Sequence, residues 1–422
     1  MIITVKNGDT LFSVSRLYNV PVSKIISDNA VIDEQLVLGQ SLIIDEPDKS
    51  IYTTQNTDTE AVSSEYGISQ RELFRNNYYL KGESFIPKGE FTVLSYKNPP
   101  TLSKILGGYA YDFISIQRLS SVINYLNYIM PFTYGFTSGG DLIEPNDAYI
   151  IEKAKNTGTK ALLHLSTLTE EGYFDSTLPV QLFNNETSVQ NLINNIISQV
   201  EIKGYDGVDV DFEYLPQSEK QNYISFLNSL SQQLHENGKI LIVAVPPKTS
   251  DEQRGILVEG IDYGDVGSVA DYVLTMTYEY GYKFGPPLAI APVNQVRRVL
   301  DYAVSRIDAG KLLLGIPNYG YDWTLPFVSG ESDAPSLSTV EAIELAKKYG
   351  AEIMYDEESQ APFFFYTDTE KKEHEVWFED ARSYRAKVRL MEEYRLAGGF
   401  IWDLMRDNPP GFVTLNSLID IQ

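Results

Sequence analysis

The chain has 422 residues, enough for one large domain and something smaller. Its formal net charge of −24 argues against nucleic acid or an anionic membrane surface as a partner. The absence of cysteine excludes disulfides and thiolate chemistry. No apolar run approaches the roughly 18 residues that a membrane span requires.

Two related units fill the first 92 residues. In residues 1–47, a strand at 3–5 is followed by the turn Gly8-Asp9-Thr10, two short helices and a closing strand at 42–44. The same pattern returns 48 residues later. The residues that superimpose are Val14, Tyr18, Val20, Ile25 and Asn29 on Val62, Tyr66, Ile68, Leu73 and Asn77, with Gly39-Gln40 further on matched to Gly82-Glu83. Residues 48–92 are therefore predicted to be a second copy.

These units resemble the lysin motif (LysM), a βααβ module that binds the N-acetylglucosamine face of peptidoglycan or chitin. For the first unit the resemblance implies glycan contacts by Gly8, Asp9, Thr10 and Asn29. The second unit has Asn56-Thr57-Asp58-Thr59 at the position of the first binding loop. It is therefore interpreted as a divergent module, and whether it binds glycan or is purely structural stays open.

From about residue 98 onward, strand-like runs alternate with helical ones. Strands are predicted at 108–111, 130–136, 161–165, 206–213, 240–245, 272–278, 312–316 and 399–402. Eight strands with interleaved helices predict an α/β fold, a (β/α)8 TIM barrel over residues 98–422. An open doubly wound sheet is the alternative, but no glycine-rich phosphate loop follows the first strand. A small α+β insertion is predicted at about 322–380.

The segment that carries most chemical information is an alternating row of acids. Asp209, Asp211 and Glu213 share one face of a predicted strand, and apolar residues occupy the other face. Three like charges at this spacing should spread their pKa values and leave a proton available near neutrality. A solvated edge strand would look similar. A calcium loop would instead be a turn rich in Gly and Asn.

Other candidate site residues lie at the ends of further barrel strands, where barrels place their reactive groups. Trp402 offers an apolar surface on which a sugar ring could stack. The remaining candidates for substrate binding are Tyr109, Met276, Glu279, Asn318 and Tyr319, with Tyr278 as a candidate catalytic group. The three histidines, His164, His235 and His374, are scattered and receive no ligand role.

Four motifs together resemble family 18 of the glycoside hydrolases, the chitinase-like barrels. They are Asp206-Gly207-x-Asp209-x-Asp211-x-Glu213, Met276-x-Tyr278, Gly315-Ile316-Pro317-x-Tyr319-Gly320 and Gly398-Gly399-x-x-Trp402. Two positions depart from the usual pattern. Glu279 stands where many members have Asp, and His164-Leu165-Ser166-Thr167 replaces Ser-x-Gly-Gly.

The family resemblance implies retaining hydrolysis in which the 2-acetamido group of the substrate is the nucleophile. Glu213 would be the acid and base, Asp211 would orient the acetamido group, Asp209 would share a proton with Asp211, and Tyr278 would donate to the acetamido oxygen. No metal or cofactor is implied.

Tandem LysM-like units ahead of such a barrel resemble the spore-cortex-lytic N-acetylglucosaminidases of endospore-forming bacteria. This likeness implies cleavage of β-1,4 bonds after N-acetylglucosamine in peptidoglycan, by a monomer in the spore cortex, coat or cell envelope. The N-terminal residues have no basic or apolar signal-peptide region, which predicts delivery without a cleaved signal. A chitinase and a non-catalytic glycan-binding protein are the alternatives.

Overall fold

The computed structural model describes residues 1–169 and 171–421, so Glu170 and Gln422 lie outside the described residues. Eight parallel strands, here β1 to β8 in chain order, close into a barrel in which each strand pairs with the next and β8 pairs with β1. The strands are Ile105–Tyr111, Tyr128–Phe132, Lys160–Ser166, Gly207–Asp211, Ile240–Val245, Tyr272–Thr275, Leu312–Pro317 and Gly398–Trp402. The predicted TIM barrel is confirmed.

Helices follow every barrel strand and cover the outside of the barrel. They are Ile116–Val122, Ala148–Thr157, Leu178–Phe183 with Glu186–Lys203, Lys220–Glu236, Tyr263–Val269, Val293–Arg306, Ala381–Glu393 and Pro409–Leu418. Apolar side chains from the outer strand faces pack against them, and a second cluster that includes Leu162, Ile242, Leu313 and Phe400 fills the barrel interior. This two-sided burial explains why the strands read as nearly continuous apolar runs. None of the helices in the described ranges has the length and apolarity to cross a bilayer.

The insertion between β7 and β8 is a five-stranded antiparallel sheet with one helix, Thr339–Tyr349. Its strands, in spatial order, are Ser336–Leu337, Gly320–Thr324, Glu373–Trp377, Ala361–Thr367 and Met354–Asp356. The insertion therefore begins at Gly320, slightly before the predicted residue 322, because the strand continues almost directly from the end of β7.

The first module pairs Ile2–Thr4 with Ser41–Ile43 around the helices Leu11–Tyr18 and Val22–Asp28. In the second module, Pro47–Tyr52 pairs with Phe91–Tyr96. Between them in the sequence, the two-residue strands Thr57–Asp58 and Phe85–Ile86 pair with each other. The helices of the second module are Thr59–Tyr66 and Gln70–Asn76. Because its closing strand runs to Tyr96, this unit extends beyond the predicted boundary at residue 92.

The internal repeat is visible in the hydrogen bonds. The Gly39 amide donates to the carbonyl oxygen of Val5 (3.0 Å), and the Gly89 amide donates to that of Thr53 (2.8 Å). Gly39-Gln40 therefore corresponds to Gly89-Glu90, and the sequence match to Gly82-Glu83 is wrong. That match assumed a shortened loop, whereas in the structure the loop has grown.

Both modules are docked against the barrel. The Arg71 guanidinium of the second module donates to the carbonyl oxygens of Asn124 and Leu126, and Tyr78 donates to Asp407 at 2.5 Å. In the first module, the Lys347 ammonium of the insertion contacts Asp33 at 2.8 Å. The Ile353 amide of the insertion donates to the carbonyl oxygen of Leu38 (2.9 Å). Modules, insertion and barrel thus share one packed body.

Candidate active site

The acid row lies on β4 with the alternation that the sequence predicts. Val208, Val210 and Phe212 are buried on the outer face, where they pack under the helices. On the inner face Asp209 is fully buried, whereas Asp211 and Glu213 are partly exposed. β4 ends at Asp211, so Glu213 lies past its last residue, at the carboxyl end of the barrel.

A cavity of about 510 Å³ opens above the row. Its polar lining consists of Ser166, Thr167, Ser176, Asp211, Glu213 and Glu279, and its other lining residues are Tyr109, Tyr111, Phe132, Phe174, Tyr214, Met276, Tyr278, Tyr282 and Trp402. A pocket with aromatic walls and a few converging carboxyl groups suits a sugar, because sugars stack on aromatic faces while their hydroxyl groups need polar partners.

Trp402 lies in an aromatic cluster at the end of β8. Its ring centroid is 4.9 Å from that of Phe132 and 5.4 Å from that of Tyr109, and both pairs meet edge to face. Tyr111 lies 6.0 Å away. These contacts fix the indole against the cavity wall, in the position that the sequence predicts for an apolar floor.

Burial and neighbouring charges raise the pKa values of the acids. The pKa of Asp211 is raised to about 8, chiefly by burial, then by the Glu213 carboxylate and by Asp209, while His164 opposes the shift. The pKa of Glu213 is raised by burial and by the Glu279 carboxylate. The raised pKa of Asp211 agrees in direction with the prediction that the acid row holds a proton near neutrality. The larger cause is burial and not the like charges.

Asp209 lies beneath the cavity in a hydrogen-bonded group. The Tyr109 hydroxyl donates to its Oδ2 at 2.8 Å, and Nδ1 of His164 lies 2.8 Å from the same oxygen. Oδ1 of Asp209 and Oδ1 of Asp211 are buried and have no partner among the described residues. A proton on either carboxyl group would provide one of these oxygens with a donor.

Tyr278 and Glu279 follow β6 at the cavity wall. Burial raises the pKa of Tyr278 well above its ordinary value, so its hydroxyl remains a donor. Glu279 has a left-handed backbone (φ +62°), as does Tyr214 (φ +55°), and Tyr319 donates to the Glu279 carboxylate at 3.4 Å. Strained conformations of non-glycine residues concentrate at functional sites.

Two predicted binding residues are structural in this fold. Asn318 is buried just after β7, against the loop that follows β8: its Nδ2 donates to the carbonyl oxygens of Asp403 and Arg406, and its Oδ1 accepts from Tyr384 and Asn408. Asn318 does not line the cavity. Tyr319 does not line it either, and its hydroxyl contacts the site only by donating to the Glu279 carboxylate.

Asn29 of the first module is also fully buried. Its Nδ2 donates to the carbonyl oxygens of Ile25 and Ile43, and its Oδ1 accepts from the Ile43 amide. Asn77 makes the equivalent bonds to Leu73 and Val93 in the second module. Asn29 is therefore not available to a glycan, and it holds the closing strand against the second helix.

The loop Gly8-Asp9-Thr10 has the opposite character, because it is exposed. Gly8 has φ +90°, the Asp9 carboxylate accepts from the Lys6 amide at 2.7 Å, and Thr10 caps the first helix. The side-chain hydroxyl of Thr10 accepts from the Ser13 amide, so the loop has a defined shape at the surface.

Several lining residues were missed by the sequence analysis. Phe174, Ser176, Tyr214 and Tyr282 come from loops beyond the strand ends, where no periodicity marks them. Tyr111 and Phe132 carried a usable signal, since each is the last residue of a barrel strand.

Comparison with known proteins decides the family. The model of "Glycosyl hydrolases family 18" matches residues 97–407, and that of the LysM domain matches residues 3–45. The chain belongs to glycosyl hydrolase family 18. The chain also carries one LysM domain. Of the two predicted, the first is confirmed, and the second unit shares its helix pair and repeat contacts without matching the LysM model.

Named relatives cover both parts of the chain. A putative sporulation-specific glycosylase, YdhD of Bacillus subtilis strain 168, is 33% identical over 408 residues, which are 96% of this chain and 95% of that protein. The cortical fragment-lytic enzyme of the same organism is 36% identical over 297 residues, 70% of this chain and 69% of that protein. The crystal structure of the spore cortex-lytic enzyme SleL of Bacillus megaterium QM B1551 matches with a TM-score of 0.84 at 33% identity, covering 100% of this chain and 98% of that one. This chain is thus a family 18 glycosidase closely related to cortex-lytic enzymes.

Proposed function

We propose that this glycosidase cleaves β-1,4 bonds after N-acetylglucosamine in peptidoglycan, with spore cortex or cortex fragments as its substrate and the spore cortex, coat or cell envelope as its location. The observation that carries the proposal is the placement of Glu213 and Asp211 in one aromatic-walled cavity. Relatives described as cortical fragment-lytic and cortex-lytic support the choice of glycan.

The proposed reaction is retaining and uses the substrate's acetamido group. Glu213, whose pKa is raised by burial and by the Glu279 carboxylate, protonates the glycosidic oxygen. The acetamido oxygen attacks the anomeric carbon, the leaving group departs, and an oxazolinium ion forms. Water then opens this ion, with the Glu213 carboxylate as base, and the configuration at the anomeric carbon is retained.

The residues around Glu213 have supporting roles in this scheme. Asp211 accepts a hydrogen bond from the acetamido N–H and orients the group, while Asp209 shares a proton with it. Tyr278 donates to the acetamido oxygen. A carboxyl group with a pKa of about 8 is mostly protonated near neutrality and is a weak nucleophile, which favours attack by the acetamido oxygen over attack by Asp211.

Substrate contacts are assigned to the cavity wall and to the first module. We assign sugar stacking to Trp402, with Tyr109, Met276 and Glu279 on the same wall. In the LysM domain, the exposed residues Gly8, Asp9 and Thr10 are the proposed glycan contacts. The second module is assigned a structural role, because its helices and loop are docked on the barrel.

Digestion of purified cortex muropeptides followed by mass analysis tests the function. Fragments that contain muramic-δ-lactam and end in reducing N-acetylglucosamine are expected. Release of chitobiose from chitin, with no products from cortex, would identify a chitinase instead. Retention of both glycans without cleavage would identify a binding protein.

A further inference from the structure

His164 is a buried base beside the acid row, at the level of Asp209 on the neighbouring strand. Its side chain is on β3, it is fully buried, and its Nδ1 lies 2.8 Å from Oδ2 of Asp209. The ring stacks on Phe132 at 4.9 Å and meets the edge of Tyr109 at 5.2 Å. These contacts leave the imidazole one orientation, with Nδ1 directed at the carboxylate.

Acidic side chains outnumber basic ones around the cavity. Asp211, Glu213 and Glu279 line the cavity, and Asp209 lies beneath it. The lining residues described for the cavity include no Lys, Arg or His. Among the described residues, His164 is the one basic side chain that hydrogen-bonds an acid of the row. A buried carboxylate is stable as an anion only when a donor or a positive charge compensates it.

We infer that His164 is a positioning residue that balances charge, an inference that rests on the function proposed above. Its imidazolium holds Asp209 as an anion while Asp211 binds the acetamido group. Tyr109 and His164 both occupy Oδ2 of Asp209, so Oδ1 is the oxygen that remains for Asp211. When the shared proton resides on Asp211, the charge on Asp209 is matched by the ring beside it.

The second ring nitrogen of His164 has a different environment. Nε2 is buried and has no hydrogen-bond partner among the described residues. Among the described residues, Asp209 is therefore the hydrogen-bond partner of the ring. The titratable groups around this pair are Tyr109 on β1, Asp209 and Asp211 on β4, Tyr223 on the helix Lys220–Glu236, and Tyr278 just after β6.

The pH–rate profile of a His164→Asn variant tests the inference. The asparagine amide can keep a donor near Oδ2 of Asp209 but cannot carry a positive charge. Loss of a nearby cation stabilises the protonated acids, because His164 acts to lower the pKa of Asp211. Both limbs of the profile for hydrolysis of N-acetylglucosamine oligomers should therefore move to higher pH, by on the order of one pH unit.

A matched control is available in the insertion. His374 is also buried, its Nδ1 lies 2.9 Å from Oδ1 of Asp322, and its ring stacks on Tyr366 at 4.4 Å. His374→Asn breaks a comparable His–Asp pair that does not line the cavity. It should lower stability and leave the pH profile unchanged.

The charge on the ring can be measured directly, because the chain has three histidines. In ¹⁵N spectra of the full-length protein, the signals missing in His164→Asn belong to His164. Imidazolium shifts for this ring in the pH range of activity support the inference. A neutral ring throughout that range, or a His164→Asn profile that coincides with wild type, would overturn it. If wild type cleaves no glycan, the proposed function fails, and the spectra still decide the charge state of His164.

Discussion

At the residue scale, the chemistry depends on how burial shifts a few carboxyl groups. The sequence predicts the acid row from its alternation, and it also predicts that protons are held there. It could not predict that burial outweighs the like charges, since burial is a property of the closed barrel. The same limit explains Asn29 and Asn318. A buried amide and a ligand-binding amide look identical in a sequence.

Replacement of Glu213 by Gln removes the proposed proton donor and keeps the size of the side chain. Hydrolysis should fall by about 10²–10⁴-fold, because that is the usual contribution of a positioned general acid. Affinity for the glycan, measured calorimetrically, and the melting temperature should stay close to wild type. Turnover at the wild-type rate would remove Glu213 from its role.

Glu279 is expected to influence how the rate of hydrolysis depends on pH. Its carboxylate raises the pKa of Glu213, so Glu279→Gln should lower that pKa. The acid form of Glu213 would then be lost at lower pH, and the alkaline limb of the kcat/KM profile should shift in the same direction. An alkaline limb that stays in place or moves upward would show that Glu279 does not act on Glu213.

At the element scale, all eight barrel strands could be predicted because buried parallel strands carry apolar runs of strand length. The loop residues that line the cavity could not be predicted, because Phe174 and Tyr282 reach the cavity through tertiary packing alone. The repeat was recognised from the helices. Its closing strand was misaligned because the connecting loop differs in length between the two copies.

Gly315 on β7 makes room for Tyr278. A Cβ atom at this position would lie 2.6 Å from Cε1 of Tyr278 and 2.7 Å from the carbonyl oxygen of Thr275. We expect Gly315→Ala to displace the tyrosine and to lower kcat more than it raises KM. Gly139→Ala is the control, because its Cβ would meet no atom closer than 3.6 Å. Equal kinetics for the two variants would contradict the proposed role of Tyr278.

At the scale of the whole molecule, the LysM domain is built into the enzyme. Val37 packs in the core of the insertion, and Ile43 packs in the main core of the barrel. Such an interface predicts that module and barrel unfold together. A glycan held by the exposed loop at Gly8 would then sit at a fixed distance from the cavity.

Two glycines at the same position in the two modules allow the coupling between module and barrel to be measured. Gly39 and Gly89 have similar left-handed backbones (φ +80° and +90°). A Cβ atom on Gly39 would lie 1.8 Å from the carbonyl oxygen of Ile353, whereas a Cβ atom on Gly89 would meet nothing within 4 Å. Gly89→Ala should cost about 1–2 kcal/mol of unfolding free energy from backbone strain alone. Gly39→Ala should cost clearly more in denaturant unfolding. Equal losses would show that the module is not held tightly against the insertion.

The central claim is that Glu213 acts beside a sugar whose own acetamido group is the nucleophile. The most direct measurement compares hydrolysis of matched oligosaccharides that carry either the 2-acetamido group or a free 2-amino group at the cleaved sugar. We expect cleavage of the acetylated substrate, with retained anomeric configuration, and no measurable cleavage of the deacetylated one. Comparable rates for both would contradict it, because an amino group has no oxygen with which to form the intermediate.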